Sequence, residues 1–331
     1  MAGRYDSLVG RWGLPLILAT LLGALLLSVA GCSGRLKAEP KFMMEFAPTG
    51  AFHLDSPEGI ALGPGGKVLL ADTWHDRVIS ANLDMNTGAL TPNSSWGSPG
   101  SKPGELSAPS DVAMGQGGEI YVSDSWNHRI QKFSSDGRLL AHWGKKADIW
   151  NLKKDELLFP RGIAVAPNGD VYVADTATHR VIKYTPQGKV IFVLGDGQAM
   201  QQVGKFDTPL DVAVDSAGNL YVSDSGNSRI EKFDANGNVI DYWGTAGDGL
   251  GQFRRPSGLA VDEEGHVYVV DSGNDRVQVF DSRGKLIALF GGRGQGPGEF
   301  ESPESIALGP GNTIYVVDWG NDRVQVFSSD L

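Results

Sequence analysis

Six carboxylate–guanidinium pairs recur along the chain at one fixed spacing. Each is an aspartate followed five residues later by an arginine: Asp72 and Arg77, Asp124 and Arg129, Asp175 and Arg180, Asp224 and Arg229, Asp271 and Arg276, Asp318 and Arg323. An aspartate in a turn accepts backbone N–H groups, and an arginine offers a bidentate partner to a nearby carboxylate. Chemistry common to all six copies reads as structural. Chemistry peculiar to this protein is to be sought where the copies differ. A proline precedes each aspartate by 15 residues, and the residue after it varies: Glu58, Ser110, Arg161, Leu210, Ser257 and Glu304. Two carboxylates, Glu58 and Glu304, have the ligand type to hold calcium or an amine. The turn after the aspartate carries Trp74, Trp126 and Trp319 in copies one, two and six. Ala177, Gly226 and Gly273 stand where Trp74 and Trp126 do. Exposed aromatics grouped in this way mark binding surfaces.

The histidines are His53, His75, His128, His142, His179 and His266. Neutral imidazoles in a ring would suit zinc. No nucleophile can be placed beside a base. The run Gly291-Gly-Arg-Gly-Gln-Gly-Pro-Gly298 resembles a phosphate loop but has no following helix, so it reads as a connection between copies.

The elements that position these residues follow from the repeat. The arginines are 47 to 52 residues apart. Within one copy, Gly162-Ile-Ala-Val165, Asp170-Val-Tyr-Val-Ala174, Arg180-Val-Ile-Lys-Tyr184 and Lys189-Val-Ile-Phe-Val-Leu194 are β-branched and aromatic runs separated by Gly/Asn/Asp turns. Four strands at a period near 50 describe a propeller blade. The expected fold is all-β, a six-bladed β-propeller with four-stranded antiparallel blades. Glycine, 45 of 331 residues, fits a chain built from turns. The last copy stops at Val324-Gln-Val-Phe327, one strand short. Residues 41–46 are expected to supply that strand and close the ring. Trp96, Trp143, Trp243 and Phe290 end their copies and read as blade-to-blade packing. Ala61, Ala113, Ala164, Ala213, Ala260 and Ala307 mark the crowded inner strands. The connection 144–159 is longer than most; either its Trp150 folds over the funnel or the segment is a longer surface loop with no role.

The combined pattern, Pro-x-Gly/Asp-Ile/Val-Ala, Gly-x-Ile/Val-Tyr-Val-x-Asp, then x-Asn-x-Arg-Ile/Val-x-x-Phe, resembles the NHL repeat over roughly residues 41–331. That resemblance implies a six-bladed propeller and puts the residue after each proline near the mouth of the central funnel. It also makes His128 and His179 ordinary consensus residues. Two enzymatic relatives are implied as alternatives. The amidating lyase holds zinc with histidines, some directly after the blade prolines, where this chain has none. Gluconolactonase-like propellers hold a funnel cation with carboxylates and Asn, which Glu58 and Glu304 keep open.

The N-terminus reads as an address. Arg4 and Arg11 precede the apolar run Leu14–Leu27, and Ser28-Val-Ala-Gly-Cys32 follows. This resembles a bacterial lipoprotein signal, which implies cleavage after residue 31 and lipidation of Cys32. An uncleaved membrane helix is the alternative. Ser33 after the cysteine implies the outer membrane in a source that has one. The expected organisation is a signal at 1–31, a lipidated tether at 32–40 and a monomeric propeller at 41–331. Cys32 is the only cysteine, so no internal disulfide forms. A formal charge of −10 argues against nucleic acid as a partner. The reading reached is a non-enzymatic envelope scaffold. One propeller face, bearing Trp74, Trp126, Trp319, Glu58, Glu304 and Arg161, would meet a protein, peptide or glycan. No cofactor is required, with calcium or zinc kept open.

Overall fold

A computed structural model describes residues 36–331, and Cys32 with the preceding signal lies outside the described residues. Six four-stranded antiparallel sheets follow one another along the chain. Blade 3 is representative, with strands Pro160–Val165, Val171–Asp175, Arg180–Tyr184 and Val190–Leu194. Its second and third strands, VYVAD and RVIKY, are buried throughout, because each lies between two neighbours in its sheet and between two adjacent blades. Tight turns join the strands, and φ is positive at Gly169 and Gly188, where only glycine is free of strain.

Blade 6 takes three strands from the C-terminus, ending with Arg323–Ser328, and its outer strand, Lys41–Phe46, from the N-terminus. Lys41 pairs with Ser328 and Phe46 with Val324. The ring is therefore closed by the two ends of the chain, as the short last copy predicts.

Between blades, large aromatic side chains lie on glycines. The indoles of Trp96, Trp143 and Trp243 rest against Gly137, Gly188 and Gly284 of the next blade, where a Cβ would meet the ring. They also meet the next blade's Phe133, Tyr184 and Phe280 at centroid distances of 5.9 to 6.5 Å. Phe290 plays the same part against Phe327, at 4.9 Å. The six alanines of the inner strands line a central cavity of about 260 Å³.

Each aspartate turn is a short 3₁₀ segment that ends on a left-handed residue: Asp76, His128, His179, Ser228, Asp275 or Asp322. Asp and His tolerate this conformation better than most residues. The residue before each blade proline is also left-handed, for example Ala108, Phe159 and Ser302. The two strained positions are latched together across the blade junction. Asp76, Asp275 and Asp322 accept the N–H of Ala108, Ser302 and Ser56 at 2.7 Å. His128 and His179 do the same through Nδ1, for Phe159 at 3.2 Å and Thr208 at 3.0 Å.

One blade departs from the scheme in a way that titrates. Gln131, Gln278 and Gln325 each donate to the blade aspartate and to a loop carbonyl while accepting a loop N–H. Blade 4 has Glu231 there. Its Oε2 accepts the Gly204 N–H at 2.7 Å, and its buried Oε1 lies 2.5 Å from the Arg229 guanidinium, which the blade aspartate already holds. Burial pushes the Glu231 carboxyl up to about 7, with the Asp224 charge adding to the rise and the Gly204 N–H and Arg229 opposing it. A raised folded-state pKa means that the stability this proton confers is complete below the unfolded value. It is lost as pH rises through about 7. Glu231→Gln is expected to leave stability near pH 5 almost unchanged and to add about 1–2 kcal/mol at pH 8, read by urea unfolding at both pH values. Equal effects at the two pH values would refute the assignment.

Candidate functional site

The six aspartates are fully buried and do one job. Each Oδ1 accepts the N–H of the residue 17 positions earlier, at 2.6 to 2.8 Å. Each Oδ2 takes the repeat arginine at 2.6 to 2.8 Å. The arginine is not bidentate to the carboxylate. It spends its remaining donors mainly on carbonyls of the interblade loop; Arg276, for instance, binds Asp248, Gly249 and Gln252. The pairs staple the loops at one end of the ring, which carry the candidate face.

That face is one end of the ring. Gly59 pairs with Ala71, so the start of an inner strand and the end of the second strand lie at the same end of the blade. The varied residue after each proline and the turn after each aspartate are therefore neighbours. Trp74 and Trp126 project from consecutive blades and meet edge-to-face, with centroids 6.0 Å apart and planes at 77°. They remain 55% and 57% exposed. Backbone bonds from Trp74 N to Asp55 O and from Trp126 N to Ser107 O fix their turns. Trp319 is not part of this pair. It directly follows Asp318, whereas Trp74 and Trp126 are two residues past Asp72 and Asp124. In blades 1 to 3 the residue next to the aspartate is Thr73, Ser125 or Thr176, and its hydroxyl reaches the proline carbonyl of the next blade. Trp319 takes that more inward slot, is half-buried, and stacks on no aromatic ring among the described residues. Trp150, 91% exposed, does not line the funnel.

At the funnel mouth, the guanidinium of Arg161 crosses to Glu58 at 2.9 Å and lies 3.6 Å from Glu304. Glu304 is held in turn by Arg255 at 2.6 Å, and Arg255 also donates to Ser272 Oγ at 2.8 Å. Four charges from blades 1, 3, 5 and 6 thus form a bar across the opening. The cavity left there is about 30 Å³, room for roughly one or two waters. Beneath the bar lie two carboxyls that motif reading overlooked, Asp111 and Asp211. Asp111 accepts the N–H of Ile163, and Asp211 that of Leu259, each on the following inner strand. Burial pushes both upward. For Asp111 the charge of Asp211 adds to the rise, while Arg161 moderates Asp211. Burial also raises Glu58, against the pull of Arg161. A signal for them existed. The second position after the proline reads Gly59, Asp111, Gly162, Asp211, Gly258, Ser305, and a side chain on Gly59 or Gly162 would strike the next blade's aspartate.

A funnel metal does not fit these residues as they are paired. Glu58 and Glu304, the carboxylates at the mouth, each hold a guanidinium, and Asp111 and Asp211 beneath them accept backbone N–H groups. His128 and His179 use Nδ1 for backbone latches, and His75 Nδ1 meets Asp72 at 2.9 Å. Among the described residues no three His, Cys, Asp or Glu side chains converge as a metal site.

A family model described as NHL repeat matches residues 106–133, 157–184, 206–233, 253–280 and 300–327. Peptidyl-glycine alpha-amidating monooxygenase of Mus musculus is 36% identical over 128 residues, which are 38% of this chain and 13% of that protein. Protein brain tumor of Drosophila melanogaster is 35% identical over 95 residues, 28% of this chain and 9% of that protein. The matches thus span about a tenth of these relatives. Among solved structures, virginiamycin B lyase from Staphylococcus aureus with quinupristin superposes with a TM-score of 0.59 at 17% identity, covering 88% of this chain and 86% of that one. A gluconolactonase from Xanthomonas campestris gives 0.58 at 18%, covering 91% and 99%. At these identities the structures speak for the fold alone. Five matched repeats and six closed blades make this chain an NHL-repeat β-propeller.

Proposed function

We propose that this propeller is a binding scaffold held at the cell envelope by lipid on Cys32. Its Trp74–Trp126 corner receives a protein, peptide or glycan. The observation that carries the reading is the exposed indole pair itself. Two large apolar rings, stapled in place by buried ion pairs, stay in contact with water on one face. Rigid, exposed aromatics lose little entropy on binding and dominate interface energetics. The funnel supports contact at its rim rather than chemistry within it, because the Glu58–Arg161–Glu304–Arg255 bar fills the mouth. A net charge of −10 disfavours nucleic acid.

The test uses protein extracted from membranes. The N-terminal peptide is expected to begin at Cys32 and to carry the mass of acyl chains; an unmodified Cys32 refutes the anchor. In pulldowns from envelope extract, Trp74→Ala with Trp126→Ala is expected to reduce partner capture at least about tenfold, with Trp150→Ala as the folded control. Undiminished capture by the double variant would remove the proposed face.

A further inference from the structure

A second site lies between blades 3 and 4, at the opposite end of the ring from the tryptophans, and it stands independently of the reading above. The repeat places a tyrosine on the second strand of blades 2 to 6. In blades 4 and 5 its hydroxyl donates to an aspartate six residues earlier: Tyr221 to Asp215 at 3.2 Å and Tyr268 to Asp262 at 3.3 Å. In blade 6, Tyr315 donates to the carbonyl of Gly88 at 3.2 Å. Blade 3 has Ala166 where blades 4 and 5 have their aspartate. Tyr172 is fully buried; the Lys183 ammonium is the polar group that acts on its hydroxyl, and no acceptor for the hydroxyl proton lies among the described residues.

The missing carboxylate leaves space. A cavity of about 160 Å³ opens there, lined by Ala166, Asn168, Tyr172, Lys183 and Ser216. That is roughly five times the space left at the funnel mouth. The ammonium of Lys183 lies over the tyrosine ring, 5.1 Å from its centroid. It is anchored to Asp170 at 3.1 Å and to the Ala235 carbonyl at 3.2 Å. An ammonium only donates, so it cannot take the proton of the Tyr172 hydroxyl. Asp170 is the blade's own carboxylate displaced by four residues. It binds Asn168 and Lys183 and does not reach the hydroxyl.

We infer that this cavity is a binding site for a short-chain carboxylate, whose oxygens replace the aspartate that blades 4 and 5 carry in the chain. One oxygen accepts the Tyr172 proton. The Lys183 ammonium lies beside the site and balances part of the charge. The short aliphatic chain fits against Ala166. The internal repeat points to the chemistry: the same tyrosine donates to a carboxylate in blades 4 and 5, whereas blade 2, with Gly115 at that position, lacks the carboxylate as blade 3 does.

The test is thermal unfolding of the intact protein at pH 7, in sodium acetate and in sodium chloride of matched ionic strength, then in propionate and succinate. Acetate at 100 mM is expected to raise the midpoint by about 2 °C over chloride, as a ligand with a Kd of roughly 10 mM would. Ala166→Asp, which restores the sister-blade carboxylate, is expected to raise the midpoint in chloride and to abolish the acetate shift. Tyr172→Phe is expected to abolish the shift without adding stability, and it keeps the test decisive if the aspartate variant folds poorly. An equal midpoint in chloride and acetate overturns the proposal, as does a shift that survives Tyr172→Phe. A crystal structure from acetate with water alone in the cavity does so too.

Discussion

Truncation of residues 36–46 is expected to destabilise the propeller by at least about 5 kcal/mol, or to prevent folding altogether. The strand Lys41–Phe46 supplies the outer ladder of blade 6, and its loss leaves Arg323–Ser328 with an open edge. Two phenylalanines leave with it. Phe46 is buried in the cluster that joins blade 6 to blade 1 and contains Leu54, Val317 and Val324. Phe42 packs edge-on against Phe327 at 6.0 Å. Deleting one buried phenylalanine side chain alone typically costs about 3–5 kcal/mol. Arg323 also loses Glu45, at 2.7 Å. Urea unfolding followed by tryptophan fluorescence provides the measurement. A truncated chain with an unshifted midpoint would show that the ring does not depend on this strand.

Asp271→Ala is expected to cost about 3–5 kcal/mol, although it removes only a few atoms. Oδ1 of Asp271 holds the Arg254 N–H at 2.7 Å. Oδ2 gathers Asn274 at 2.8 Å, Arg276 at 2.7 Å and Gln278 at 3.1 Å. Alanine leaves four buried donors short of a partner, one of them charged, and orphaned groups cost more than the bonds themselves contribute. Asp271→Asn is the informative companion. It keeps one acceptor oxygen but turns a donor toward other donors, so it is expected to recover only part of the loss. Calorimetric unfolding of the three proteins gives the order. An alanine variant within 1 kcal/mol of the parent would contradict the staple role.

Much of this architecture was legible because the chain repeats its own instructions six times. Asp72 and Arg77 mean little singly, but the same pair at 47- to 52-residue intervals specifies a blade. The short last copy likewise foretold the N-terminal strand. What was not legible depends on the ring rather than the repeat. The resemblance put Glu58, Arg161 and Glu304 at one funnel mouth, but the ion pairs that Arg161 makes there, with Glu58 103 residues away, were not foreseen. Arg255 sits before a proline, outside the slots that sequence comparison treats as variable, and reaches Glu304 across a blade junction. Trp319 shows the opposite failure. The one-residue offset from Trp74 and Trp126 was visible in the sequence. In a tight 3₁₀ turn, one residue changes the direction of a side chain from outward to inward.

The closed ring also dictates an order of events in time. Glu45 contacts Arg323, 278 residues further along the chain. The first strand to leave the ribosome is therefore the last to find its partner. Until the final residues arrive, every partial chain has a single-file stack of blades with an unpaired strand at one end. Such long-range closure is slow and leaves the intermediate prone to sticking.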